Sequence, residues 1–153
     1  YSKNFGLYSE RVGALFVSTK TETAARHVLS KLKIFARTAY SNPPKHGAAI
    51  VEHILSHPGL KKKWMKEVDE MRDRLRDLRE QFVSALSSNQ TKVDFSSLLN
   101  QMGMFCYLGL DKEKVARLRN EYGIYMTEGG RINLAGLSRQ NFNYVVESLV
   151  DVL

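Results

Sequence analysis

Cysteine, proline and tryptophan are scarce: one, three and one among 153 residues. A single cysteine, Cys106, excludes an internal disulfide and makes a reducing compartment the default. No apolar run approaches the roughly 20 residues that a membrane-spanning helix needs, so no membrane partner is expected. No internal repeat or low-complexity tract is present. Position 1 is not Met, and targeting is left unread. The prolines fall at two places, Pro43-Pro44 and Pro58, and both mark breaks between helices.

What is present is ordinary for a globular protein. Hydrophobic residues make up 43% and charged residues 25%, close to average usage. The length suits one domain or one large piece of a bigger protein. The net charge of +7 would be compatible with an acidic partner such as nucleic acid. Much of the positive charge, however, lies on one helix and is mixed with acids. It reads as solvated surface, and no nucleic-acid partner is expected.

The apolar pattern predicts alternating helices and short strands. Residues 13–18 (Gly-Ala-Leu-Phe-Val-Ser) read as a strand. Thr21-Glu22-Thr23 can cap a helix that runs to Arg37, and Ser41-Asn42-Pro43-Pro44 ends it. A second helix covers residues 45–55. The longest periodic segment is 60–86, where Trp64, Val68, Met71, Leu75, Leu78 and Phe82 fall on one face. Strands are expected at 103–108, 123–126 and 131–135. Helices are expected at 111–122, with Asp111 at its start, and at 138–153, with Ser138 as N-cap. Such alternation implies an α/β layer structure.

Three segments carry candidate chemistry. The first is Tyr1-Ser2-Lys3-Asn4-Phe5-Gly6-Leu7-Tyr8-Ser9-Glu10-Arg11-Val12-Gly13. It sets one lysine among small and hydroxyl residues, with an arginine eight positions on. A lysine so placed can form an imine with an aldehyde cofactor, and the arginine can hold that cofactor's phosphate. Taken alone, Lys3 would be a surface lysine. The second segment is Arg37 with Tyr40-Ser41-Asn42-Pro43-Pro44. A planar guanidinium at a helix end suits bidentate capture of a carboxylate, or simply complements the helix dipole. The third is Gly129-Gly130-Arg131-Ile132-Asn133-Leu134-Ala135. An arginine opening a short apolar strand either faces a ligand or reaches out to water.

Together these segments, spaced as they are, resemble the aspartate aminotransferase family of the fold-type-I pyridoxal-phosphate enzymes. The resemblance runs from Tyr1 to Leu153 and includes Gly103-Met104-Phe105. It implies an α/β fold corresponding to the C-terminal part of such a transferase. Residues 1–57 would be the remnant of the large cofactor-binding domain, 58–88 a long interdomain helix, and 89–153 the small α/β domain. It also implies pyridoxal 5'-phosphate as cofactor, bound by Ser2, Lys3 and Arg11, with Lys3 catalytic. Arg131 would grip the substrate α-carboxylate. Arg37 would reach across a homodimer interface to the side-chain carboxylate of aspartate or glutamate. Tyr40, Ser41 and Phe105 would line the same region. The family's upstream half, which supplies further cofactor contacts, has no counterpart here. The chain is therefore expected to be an inactive piece of an active parent, cytoplasmic or mitochondrial.

Two other readings remain open from the sequence. One is an aromatic amino acid aminotransferase on the same scaffold. The other is a non-catalytic module whose 60–86 helix pairs with a partner helix. His53 and His57 stand four apart, but no third ligand accompanies them, so no metal is expected. Cys106 reads as a buried apolar filler.

Overall fold

The computed structural model describes residues 1–89 and 93–153. The chain divides into two compact units, Tyr1–Val68 and Asp69–Leu153.

The first unit begins with an irregular segment and continues with α1 (Glu22–Tyr40), α2 (His46–Ser56) and the start of α3 (Pro58–Ser88). Thr21 caps α1, its hydroxyl accepting from the Ala24 amide at 3.1 Å. This satisfies one of the amides that every helix start leaves unpaired. The helix runs three residues beyond the expected Arg37. It stops at Ser41, whose φ of 66° leaves helical geometry. Pro58 opens α3 rather than merely interrupting the chain. That suits proline, since the first helical residue needs no amide donor.

Residues 13–18 do not form the expected strand. They have no regular structure, with Leu15 and Phe16 at 72% and 90% exposure. A strand requires a ladder partner, and the described residues supply none here.

In the second unit, α3 is followed by a short 3-10 helix (Ser96–Asn100), β1 (Phe105–Tyr107), α4 (Lys112–Tyr122), β2 (Arg131–Asn133) and α5 (Phe142–Val152). The strands pair antiparallel, with Phe105 opposite Asn133, Cys106 opposite Ile132 and Tyr107 opposite Arg131. Phe82, Leu86, Leu98, Leu118, Leu134 and Leu149 are fully enclosed. Cys106 lies among them, as a small apolar filler would. Leu75 and Leu78 pack on this core, and Phe82 and Leu86 enter it. The apolar stripe of α3 is thus spent inside this unit from Leu75 onward.

Three sequence expectations shift here. Both strands are three residues long, shorter than expected. Residues 123–126 form no strand: Gly123 is the left-handed C-cap of α4, and Ile124 and Met126 are half-buried against the core. The last helix starts at Phe142, not Ser138. Ser138 belongs instead to a preceding turn, in which its amide donates to Asn141 Oδ1 at 2.7 Å. Asp111 caps α4 as expected, accepting from the Lys114 amide at 2.8 Å. No described helix is long and apolar enough to cross a membrane.

Candidate active site

Lys3 sits in a tight turn, with the Gly6 amide bonded to its carbonyl at 3.1 Å. The turn is fastened from one side by Trp64 of α3. The Trp64 ring stacks on Phe5 at 4.6 Å between centroids, and its indole N–H donates to the Asn4 carbonyl at 2.7 Å. Tyr1 meets Phe5 edge-on at 5.2 Å. Further along the segment, Val12 and Glu10 press on Gly47 of α2, where a side chain would have no room. Glu10 also reaches His46 at 3.2 Å.

Within this segment two cations converge on one tyrosine. The Lys3 ammonium lies 5.2 Å over the Tyr8 ring. Arg11 donates through one terminal nitrogen to the Tyr8 carbonyl at 3.0 Å. Arg11 has φ of 54°, a left-handed conformation uncommon for a residue with a side chain. Ser2 is half-buried beside Lys3.

Arg37 occupies the last turn of α1, exposed, with no acidic partner among the described residues. Tyr40 and Ser41 follow it. The Asn42 amide bonds to the Tyr40 carbonyl at 2.9 Å, and Ser41 has φ 66° and ψ −72°. That is the rare, strained form of γ-turn. Strained residues cluster where function requires a fixed geometry. Arg11 and Ser41 are the only non-glycine residues of positive φ among those described, and the sequence had singled out both for chemistry.

Arg131 and Phe105 belong to the second unit. The Arg131 guanidinium lies 4.9 Å from the Phe105 ring centroid. The Arg131 amide is held by the Thr127 hydroxyl at 3.2 Å, so the turn before β2 fixes the arginine's backbone. Both residues line a cavity of about 710 Å³, with Tyr125, Asn133, Leu137 and Tyr144 among its other walls.

The structure thus gathers Ser2, Lys3 and Arg11 in one fastened segment, and Phe105 with Arg131 on one cavity wall. The sequence placed Trp64 only on the apolar face of a helix and Tyr8 only within the first segment, and gave neither them nor Gly47 a role in fastening it. For Gly47 a signal existed. Glycine inside a helix costs about 1 kcal/mol against alanine, so its presence there marks a close approach. Tyr8 carried no such mark.

The His53 and His57 rings lie 4.2 Å apart at a tilt of 44°, and His57 Nδ1 lies 2.7 Å from the His53 carbonyl. Among the described residues no three potential ligands gather as a metal site.

The described residues thus hold a lysine and an arginine in one fastened segment, and a second arginine on an open cavity. Comparison with known proteins identifies the family. Residues 1–149 match the family model for aminotransferase class I and II. The chain is 45% identical over 153 residues to the aspartate aminotransferase of Pseudomonas aeruginosa, spanning all of this chain and 38% of that protein. A mitochondrial aspartate aminotransferase from Trypanosoma brucei superimposes with a TM-score of 0.90 at 41% identity, over 99% of this chain and 40% of that one. An aromatic-amino-acid aminotransferase from Burkholderia pseudomallei, covalently bound to pyridoxal phosphate, gives a TM-score of 0.90 at 47% identity, over 99% of this chain and 38% of that one. The chain belongs to the aspartate aminotransferase family of the class I and II aminotransferases. It spans about two-fifths of the length of these relatives.

Proposed function

We propose that this chain carries the lysine and the substrate arginines of a pyridoxal-phosphate-dependent aminotransferase. The reaction would move the amino group between aspartate or glutamate and their 2-oxoacids, oxaloacetate and 2-oxoglutarate. The observation that carries this reading is the convergence of Lys3 and Arg11 on Tyr8, in a segment fastened by Trp64 and Gly47.

The donor set fits the cofactor. It offers an amine, a guanidinium with only one nitrogen committed to Tyr8, and the Ser2 hydroxyl. These suit an aldehyde and a phosphate monoester. When bound, the cofactor would supply an electron sink for the carbanion at the substrate Cα. Lys3 would anchor it through Nζ. Once displaced by substrate, the same amine would carry the proton as general base and then acid.

Arg131 would bind the α-carboxylate, and Arg37 the distal carboxylate in the partner's site of a homodimer. Tyr40, Ser41 and Phe105 would line the substrate. Two fixed guanidiniums select a dicarboxylate, because a monocarboxylate leaves one of them unpaired. A second reading is an aromatic amino acid substrate, supported by the likeness to the Burkholderia protein. Cytoplasmic location is the compartment proposed, with mitochondrial as the alternative.

The test is covalent trapping. The full-length protein is mixed with pyridoxal phosphate, reduced with borohydride and mapped by peptide mass. Label at Lys3 is expected. Label on another lysine, or none, rejects the assignment.

A further inference from the structure

Arg79, on α3, is only 7% exposed, yet it makes no ion pair among the described residues. One terminal nitrogen donates to the Gly103 carbonyl at 2.5 Å, and its Nε has no partner. An always-charged group is costly to bury. Ion pairing does not explain its place, and its hydrogen bonding is incomplete. What it holds is informative. Gly103 has φ of 81°, a bend that a side chain rarely adopts. Two residues later comes Phe105, the ring that lies against Arg131. The intervening Met104 carbonyl accepts from the Leu134 amide at 2.8 Å, which ties the bend to the end of β2.

We propose that Arg79 is a positioning residue for substrate binding: by clamping the Gly103 carbonyl it sets the bend that presents Phe105 to the Arg131 guanidinium. This rests on the reading of Arg131 as the α-carboxylate ligand. A guanidinium stacked on a ring keeps its in-plane donors aimed in one direction, which bidentate capture of a carboxylate requires. Loosening the bend frees the ring and lets the arginine swing. Lysine is an incomplete substitute, because an ammonium lacks the planar fork.

The experiment measures binding of maleate, a four-carbon dicarboxylate that is no amine donor, to the full-length protein loaded with pyridoxal phosphate. Arg79→Met is expected to weaken maleate about 10-fold, and Arg79→Lys about 3-fold. Made in a Phe105→Ala background, either change is expected to weaken it less than 2-fold further, because the ring through which Arg79 acts is gone. A merely structural role would give the same loss in both backgrounds, and that result overturns the proposal. So does unchanged binding in Arg79→Met. If Arg79→Met does not fold, Arg79→Lys carries the same comparison. Arg131→Ala is measured alongside. If it binds maleate like the wild type, the carboxylate reading itself fails. If Arg131→Ala weakens binding and the Arg79 variants do not, only the positioning role fails.

Discussion

Gly47 of α2 lies so close to Val12 that a β-carbon built there would overlap the valine side chain and fall 2.8 Å from Glu10 Cβ. The contact is side chain to helix backbone, and it holds the segment that carries Lys3 and Arg11. Glycine-to-alanine changes inside helices ordinarily stabilise by about 1 kcal/mol. Here overpacking of about 1–3 kcal/mol opposes that gain and exceeds it. Gly47→Ala is therefore expected to lower stability in chemical denaturation, and to slow the trapping of pyridoxal phosphate at Lys3. A stabilised variant would show that the segment does not rest on α2.

Trp64 fastens the same segment through Asn4 and Phe5. It is the chain's one tryptophan, so its fluorescence reports on the first unit directly. Trp64→Phe keeps the ring on Phe5 but loses the indole bond to Asn4, at a cost of about 1 kcal/mol. Trp64→Ala also loses the stacking, about 0.5–1.5 kcal/mol more. Circular dichroism during urea unfolding should rank wild type above Trp64→Phe, and Trp64→Phe above Trp64→Ala. Equal stability of the two variants would mean that the ring contact contributes nothing.

The helices were more legible in the sequence than the strands. The α3 stripe was legible because Leu75, Leu78 and Phe82 recur at helical spacing, and they meet the core as that spacing requires. Residues 13–18 and 123–126 misled because an apolar run specifies burial or extension but not a ladder partner. Ser138 looked like a cap because serine suits both a helix start and a turn, and tertiary context chose the turn. Among the site residues, Lys3, Arg11 and Arg131 were marked by motif. The fastening residues Trp64 and Gly47 act through contacts distant in sequence, and Arg79 through a bond 24 positions away. No local pattern announces such contacts.

Acid should loosen the α4–α5 junction. The Tyr122 hydroxyl donates to Asp151 at 2.5 Å, and Arg117 reaches the same carboxylate at 3.0 Å. The tyrosine's hydrogen bond, chiefly, and the arginine hold the Asp151 carboxyl below its ordinary value. A depressed folded value means stability present above the unfolded pKa, near ~4, and lost as pH falls through the folded one. The same bond raises Tyr122, so its contribution is present below the tyrosine's unfolded value and lost as pH rises through the folded one. Asp151→Asn should flatten part of the fall in melting temperature below about pH 4, the ordinary carboxylate range. An unchanged acid limb would place the sensitivity elsewhere, such as at Asp94 and Asp111, whose carboxyls are also held below their ordinary value.

Ser41 ends α1 in a strained turn four residues after Arg37, to whose carbonyl its amide bonds at 3.0 Å. Positive φ at a serine costs about 1–3 kcal/mol, and glycine adopts it freely. Ser41→Gly should therefore stabilise the chain by about 1 kcal/mol, after the glycine's greater unfolded-state entropy is deducted. If the strain serves to hold Arg37 in place, the gain in stability should come with weaker discrimination between aspartate and phenylalanine in the full-length protein. Arg37→Ala sets the scale for that loss. It should reduce kcat/KM for aspartate far more than for phenylalanine, since only aspartate has a distal carboxylate to lose. Equal losses on the two substrates would remove Arg37 from the distal-carboxylate role. A Ser41→Gly variant that keeps full discrimination would leave the turn as strain without a task.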